Sequence, residues 1–272
     1  MKTPPVKIFI LFFIAFAFTT ISWVAVKNND PASTKIADAE KVSPVSNNNL
    51  PAIQLFEQHI ASIYEKAGLS ASHLDYQIFK NAVTGYYNFK TANLIAVNNP
   101  IITIVDFNKP STQKRLWIIN LDSSKLLFNT LVAHGQGSGN NVAHSFSNKN
   151  NSHQSSLGFY ITSDTYFGKH GLSMKLDGMD KNLNSNARER AVVIHGADYV
   201  SQDFISKHGR LGRSHGCPAL PLELTQSIID SIKGRTCLYI HGGGYKSYSS
   251  EFSNPEVAAS GFLSSSSAIS NM

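Results

Sequence analysis

Cysteine is scarce in this chain: 272 residues hold two, Cys217 and Cys237. Two thiols cannot build a disulfide framework, and a bond between them would consume any thiol nucleophile. Both are therefore expected to be free, even in an oxidising compartment. Charge is also sparse, at 15% of residues. That is too little for a wholly disordered polyelectrolyte. The formal net charge of +6 favours anionic surroundings. Yet no long Lys/Arg run occurs, and no RNP, zinc-finger or helix-turn-helix signature, so no nucleic-acid partner is expected. Internal repeats are absent.

What is present is a chain that is 42% hydrophobic, with 18 glycines, 10 tyrosines and 16 phenylalanines. This composition suits one good-sized, strand-rich domain with appendages. Lys2 and Lys7 precede an apolar run from Ile8 to about Val26, long enough to span a bilayer core if helical. Residues 1–26 thus read as a signal peptide or a membrane anchor, and the protein as exported to the periplasm or cell envelope. Ala15-Phe16-Ala17 fits a small-x-small cleavage site, although it sits inside the run. No cysteine follows the run, which argues against a lipoprotein anchor. Residues 27–50 are rich in Asn, Ser, Pro and Lys and read as a linker.

Residues 51–93 read as a small helical cap. Leu55, Phe56, Ile60, Ile63 and Tyr64 recur at helical spacing, with Gly68 as a stop. Ser70 is the expected cap of a second helix carrying Leu74, Ile78, Phe79 and Val83. From residue 94 to 246 the texture is that of strands: Ile101–Phe107, Arg115–Leu121, Lys125–Ala133, Leu157–Thr162, Ala191–His195 and Thr236–Ile240. Asp122-Ser123-Ser124 reads as a hairpin turn, and Leu222–Ile232 as a helix. The Ser-rich residues 247–272 are expected to be a disordered tail. The pattern predicts a mainly-β domain with a closed or sandwiched sheet and few helices.

Two short motifs carry candidate chemistry. His195-Gly196 ends a predicted strand, and Gly212-Arg213-Ser214-His215-Gly216-Cys217-Pro218-Ala219 forms a loop shortly before a helix. A thiol becomes a useful nucleophile when a histidine or backbone amides lower its pKa. A base at a strand end is held rigidly, as proton abstraction requires. Gly216 lets backbone approach a bound carbonyl, where N–H groups stabilise an oxyanion. On residue types alone, a buried structural cysteine and a hydrogen-bonded core histidine remain open alternatives. Cys237, in an apolar strand with no histidine in its motif, reads as core.

The run from His195-Gly196 to Ser214-His215-Gly216-Cys217 resembles the active-site signature of the L,D-transpeptidase (YkuD-like) catalytic domain. Val132–Gly139, Phe146–Asn148, Ser155–Tyr160, Arg190–Val200 and Gly209–Ser214 extend the likeness to the murein L,D-transpeptidase subfamily, over most of residues 51–245. The resemblance implies an L,D-transpeptidase-like β-sandwich and a peptidyltransferase acting on peptidoglycan stem peptides without a cofactor or metal. Cys217 would be the acylated nucleophile. His195 would be the base, oriented by the Gly196 carbonyl. Amides around His215, Gly216 and Cys217 would form the oxyanion hole, and Ser214 and His215 would line the site. The sequence departs from the family where Pro218-Ala219 replaces an aliphatic residue and an arginine after the cysteine. Arg213 or Arg190 is the expected replacement for that charge. His134 is a further candidate for the groove, and Tyr166–Gly171 a candidate glycine-hinged cover. Arg188 reads equally as a carboxylate clamp or a solvated side chain.

Three other readings stay open. The scaffold suits a carboxypeptidase or cross-link hydrolase. His195, His208, His215 and Cys217 are the residue types that bind zinc, though their spacing matches no compact zinc motif. A non-catalytic wall-binding module is the third.

Overall fold

The computed structural model describes residues 51–243 and 250–270. The predicted signal or anchor and its linker lie outside them. Two helices come first, α1 (Ala52–Lys66) and α2 (Tyr76–Thr91). Asp75, rather than Ser70, caps α2: its Oδ1 accepts from the backbone N–H groups of Gln77 and Ile78. A carboxylate offset by one residue from the first turn satisfies two donors that the helix itself cannot.

The strands are β1 (Ile101–Asp106), β2 (Leu116–Asn120), β3 (Lys125–Thr130), β4 (Gly158–Gly168), β5 (Gly171–Gly178), β6 (Val193–Ala197), β7 (Ala219–Pro221) and β8 (Cys237–His241). They form one eight-stranded sheet in the order β3-β2-β1-β8-β4-β5-β6-β7. Between them lie α3 (Gln202–His208) and α4 (Leu222–Ile232).

Strand periodicity places alternate residues on opposite faces, and here both faces are buried. Ile102, Ile104, Trp117, Ile119, Phe159 and Tyr239 meet the apolar side of α1 and α2. Val105, Leu116, Ile118, Tyr160, Leu238 and Ile240 face the other way, into a second core. That core also holds Met174 and Leu176 of β5, Ile194 of β6, Leu220 of β7, and Ile228, Ile229 and Ile232 of α4. Residues from the two ends of the sheet meet in one cluster only if the sheet curls on itself. The chain after β3 completes the curl, since Ala133 and Ala219 exchange backbone hydrogen bonds of 2.9 and 3.3 Å. The architecture is the expected mainly-β sandwich with few helices.

The C-terminal segment corrects the sequence reading. Residues 255–270 are not a disordered tail but a helix, α5 (Pro255–Ser270). Small residues make this possible: Ala258 and Ala259 are buried, and a Cβ at Gly261 would fall 1.9 Å from Thr91 Oγ1 of α2. The ring of Phe262 stacks on His59, centroids 4.5 Å apart. The helical cap is thus built from both ends of the domain.

Among the described residues, Thr103 Oγ1 is buried with no hydrogen-bond partner, in the middle of β1. A buried unsatisfied hydroxyl costs about 1–3 kcal/mol, and valine suits a strand as well as threonine does. Thr103→Val is therefore expected to raise the unfolding free energy by roughly 1 kcal/mol or more, measured by urea denaturation.

Candidate active site

Strand β6 positions His195, and β7 begins two residues after Cys217. The two strands are parallel and in register, with His195 opposite Ala219. This brings the two sequence motifs side by side. The Val193 N–H donates to Cys217 Sγ at 3.4 Å, and the thiol donates to the Ala191 carbonyl at 3.7 Å. Cys217 is half-buried, whereas Cys237 is fully buried in β8.

His195 is 3% exposed, and its Nδ1 lies 2.9 Å from the Gly196 carbonyl oxygen. A carbonyl only accepts, so Nδ1 carries the proton and the neutral ring keeps its lone pair on Nε2. Burial pulls the His195 pKa below its ordinary value, opposed by that hydrogen bond. Burial likewise pushes the Cys217 thiol up, while the Val193 N–H and the Arg190 charge favour the thiolate. Both shifts favour a resting pair of neutral thiol and neutral imidazole.

The loop before Cys217 is tightly tied. Ser214 Oγ donates to the Cys217 carbonyl at 2.6 Å and accepts from the Gly216 N–H at 3.0 Å. The Gly216 amide is thus already used, which corrects the expectation that it serves an oxyanion hole. Among the described residues, the N–H groups of His215 and Cys217 donate to no other residue. Gly216 has φ +127°, and a Cβ there would lie 2.8 Å from the Gln154 carbonyl oxygen. Glycine is required on both counts. Ser155 Oγ joins three segments, accepting from the Gly135 N–H at 3.0 Å and donating to the Gly216 carbonyl at 3.1 Å.

Arg190 holds the segment facing this loop. Its Nη1 donates to the Ser147 carbonyl and to Ser156 Oγ, at 2.7 and 2.5 Å. Its Nη2 donates to the Gln154 carbonyl at 2.6 Å and to Ser152 Oγ at 3.2 Å. Arg213 donates instead to the Gly139 carbonyl and Asn140 Oδ1, both at 2.9 Å. Of these arginines, Arg190 is the one whose charge acts on Cys217, together with Lys169. Arg188 forms an exposed two-pronged pair with Asp177, away from this role.

His134 is not in the groove. It is wholly buried, and its Nδ1 lies 2.8 Å from Nη2 of the equally buried Arg115. A guanidinium only donates, so Nδ1 is the acceptor and Nε2–H points to the Gly139 carbonyl at 3.4 Å. Burial and the Arg115 charge pull the His134 pKa down to about 3. His215 is exposed and stacks on His153, centroids 4.3 Å apart. His208 lies against Phe204 of α3. Among the described residues, no three His, Cys, Asp or Glu side chains are grouped to hold a metal ion. A cavity of about 710 Å³, lined in part by Asp75, Asp106, His144 and His241, shares no residue with the Cys217 surroundings.

The expected cover over Tyr166–Gly171 is the end of the β4–β5 hairpin, with Gly168 paired to Gly171. Its His170 ring stacks on His195. Nothing in sequence spacing marked that pairing, nor the place of Ser155 between Gly135 and Gly216, whereas Arg190 is one of the two candidate charges named from the sequence.

The family whose pattern matches this chain is the L,D-transpeptidase catalytic domain, over residues 70–241. No curated protein matches. Among solved structures, an L,D-transpeptidase from Mycobacterium smegmatis is 9% identical and aligns over 53% of this chain and 59% of its own, with a TM-score of 0.34. The helical cell shape determining protein of Campylobacter jejuni is 11% identical over 65% and 60%, with a TM-score of 0.37. An L,D-transpeptidase from Stackebrandtia nassauensis is 14% identical over 56% and 63%, with a TM-score of 0.33. The chain thus spans about three-fifths of the length of these structures.

Two outcomes test this geometry. Arg190→Gln removes a charge that favours the thiolate, so Cys217 alkylation by iodoacetamide is expected to shift to higher pH and slow severalfold near neutrality. His134 binds a proton more readily unfolded, near pH 6.5, than folded, near 3. Its contribution is therefore present above pH 6.5 and lost progressively as pH falls toward 3. Between pH 6.5 and 5 that is about 2 kcal/mol. His134→Gln, which keeps an acceptor and a donor but cannot titrate, is expected to flatten the stability slope over that interval in urea titrations.

Proposed function

Because this chain belongs to the L,D-transpeptidase catalytic-domain family, we propose that it is an exported peptidoglycan L,D-transpeptidase working through a Cys217 thioester. The observation that carries this reading is the His195 Nδ1–Gly196 carbonyl hydrogen bond. It leaves a lone pair on Nε2 of an imidazole set on the strand beside the cysteine loop.

Cys217 attacks the carbonyl of the L-configured diamino acid in a donor stem peptide. His195 Nε2 accepts the thiol proton as the S–C bond forms, giving a tetrahedral oxyanion. The N–H groups of His215 and Cys217 stabilise that oxyanion. On collapse, the proton on Nε2 passes to the departing nitrogen, and the terminal D-amino acid leaves. An amine of a second stem then attacks the thioester, loses its proton to His195, and forms the cross-link as the thiol departs. The neutral resting pair makes His195 a general base during attack rather than half of a standing ion pair. Arg190 is a positioning residue: its charge lies near the sulfur, and its guanidinium is tied to Ser147, Ser152, Gln154 and Ser156. It takes the place of the arginine that Pro218-Ala219 displaces.

Intact-protein mass spectrometry after exposure to a carbapenem is expected to show one adduct on Cys217, absent in Cys217→Ala. His195→Gln is expected to slow acylation by roughly 100-fold or more. With stem tetrapeptide as substrate, cross-linked dimers are the expected product. Hydrolysed tripeptide alone would instead make water the acceptor and the enzyme a carboxypeptidase. Equal wall binding by wild type and Cys217→Ser, with no turnover by either, would leave only a binding module.

A further inference from the structure

The base of the site has a second imidazole over it. The ring of His170 lies with its centroid 4.4 Å from that of His195 and the planes 25° apart. The tip of the β4–β5 hairpin brings it there. Gly168 and Gly171 pair across a two-residue turn of Lys169 and His170, and Gly171 takes φ +71°. Only glycine adopts such a backbone without strain. The hairpin is anchored to the base by the sheet itself, since Ser173 of β5 is paired with His195 of β6. Among the described residues, the His170 ring has no hydrogen-bond partner, so the stack is its polar ring's one defined neighbour.

We propose that His170 is a positioning residue for the reaction: stacked on His195, it holds the base's ring in the plane of its Gly196 hydrogen bond and sets the pH at which that ring takes up a proton. The inference rests on reading His195 as the base. The Gly196 carbonyl fixes one edge of the ring, and His170 fixes one face. The stack also keeps water from that face, which disfavours the imidazolium. A charged His170 would repel a charged His195 across the same gap, so both effects act in one direction. The elements packed around His195 carry other ionisable groups. Lys169 shares the hairpin tip, Lys175 lies on β5, and Arg190 precedes β6. Asp198 and Tyr199 follow β6, His215 and Cys217 lie on the cysteine loop, and Glu223 sits in the first turn of α4. Of these, Lys169 acts on His195 in the same sense as His170.

The test is a histidine NMR titration on the full chain, comparing wild type, His170→Ala and His170→Phe, with the His195 signal assigned by its loss in His195→Gln. The pH dependence of carbapenem acylation at Cys217 is measured in parallel. His170→Ala is expected to raise the His195 midpoint by roughly half a pH unit or more, the lower bound being that of two charges about 5 Å apart in water. The acid limb of acylation should move with it. His170→Phe keeps the stacked face without the charge and should shift the midpoint less; it also serves if His170→Ala fails to fold. A His195 midpoint unchanged in both variants overturns the proposal. Adducts that form on Cys217 with one common pH dependence in all three proteins also overturn it, while leaving the transpeptidase reading intact. A midpoint that moves with no adduct in any protein supports the coupling and removes the acyl-transfer reading.

Discussion

The geometry around Cys217 depends on one guanidinium. Arg190 gathers two carbonyls and two hydroxyls from the Ser147–Ser156 segment, and that segment in turn supplies Ser155 and the Gln154 carbonyl that close on Gly216. The cysteine loop is therefore not a free turn but one side of a sandwich of three strips of chain. A planar fork with fixed donor directions suits this work in a way a lysine ammonium does not. The tie comes from Arg190, three residues before β6.

Burial decides the protonation of the site. The Cys217 thiol and the His195 imidazole both lose solvent, and each is moved toward its uncharged form. The nearby N–H of Val193 and the Arg190 charge oppose this at the sulfur without being paired to it. The outcome is a thiol that stays protonated at rest. Such a site is less exposed to oxidation than a standing thiolate, since the thiolate is the reactive form.

Much of the sandwich was legible in the sequence, because strands buried on both faces read as β-branched runs. Ile101–Asp106 and Cys237–His241 fall where expected, and α4 spans the predicted Leu222–Ile232. The cysteine loop and His195-Gly196 were also visible. What failed has particular causes. The α5 helix was hidden because Ala258, Ala259 and Gly261 make close helix contact without apolar bulk. Strand β5 was missed since Lys175 and Asp177 interrupt its apolar pattern. His134 sits in a glycine-rich stretch that looks solvated, and its burial depends on Arg115, nineteen residues earlier. The Gly216 N–H looked free because Ser214, two residues away, turns its hydroxyl back onto the main chain. The α5 and His134 misses are contacts settled by tertiary packing, whereas the Gly216 one is a local side-chain-to-backbone bond.

The burial of Cys237 has a practical consequence. Its thiol is fully enclosed in β8, and enclosure pushes its pKa far above the ordinary thiol range. The native chain therefore offers a single sulfhydryl to a water-borne reagent, and the unfolded chain offers two. Counting reactive sulfhydryls with a colorimetric disulfide then reports the fraction of molecules that have opened, with no label, no cofactor and no substrate.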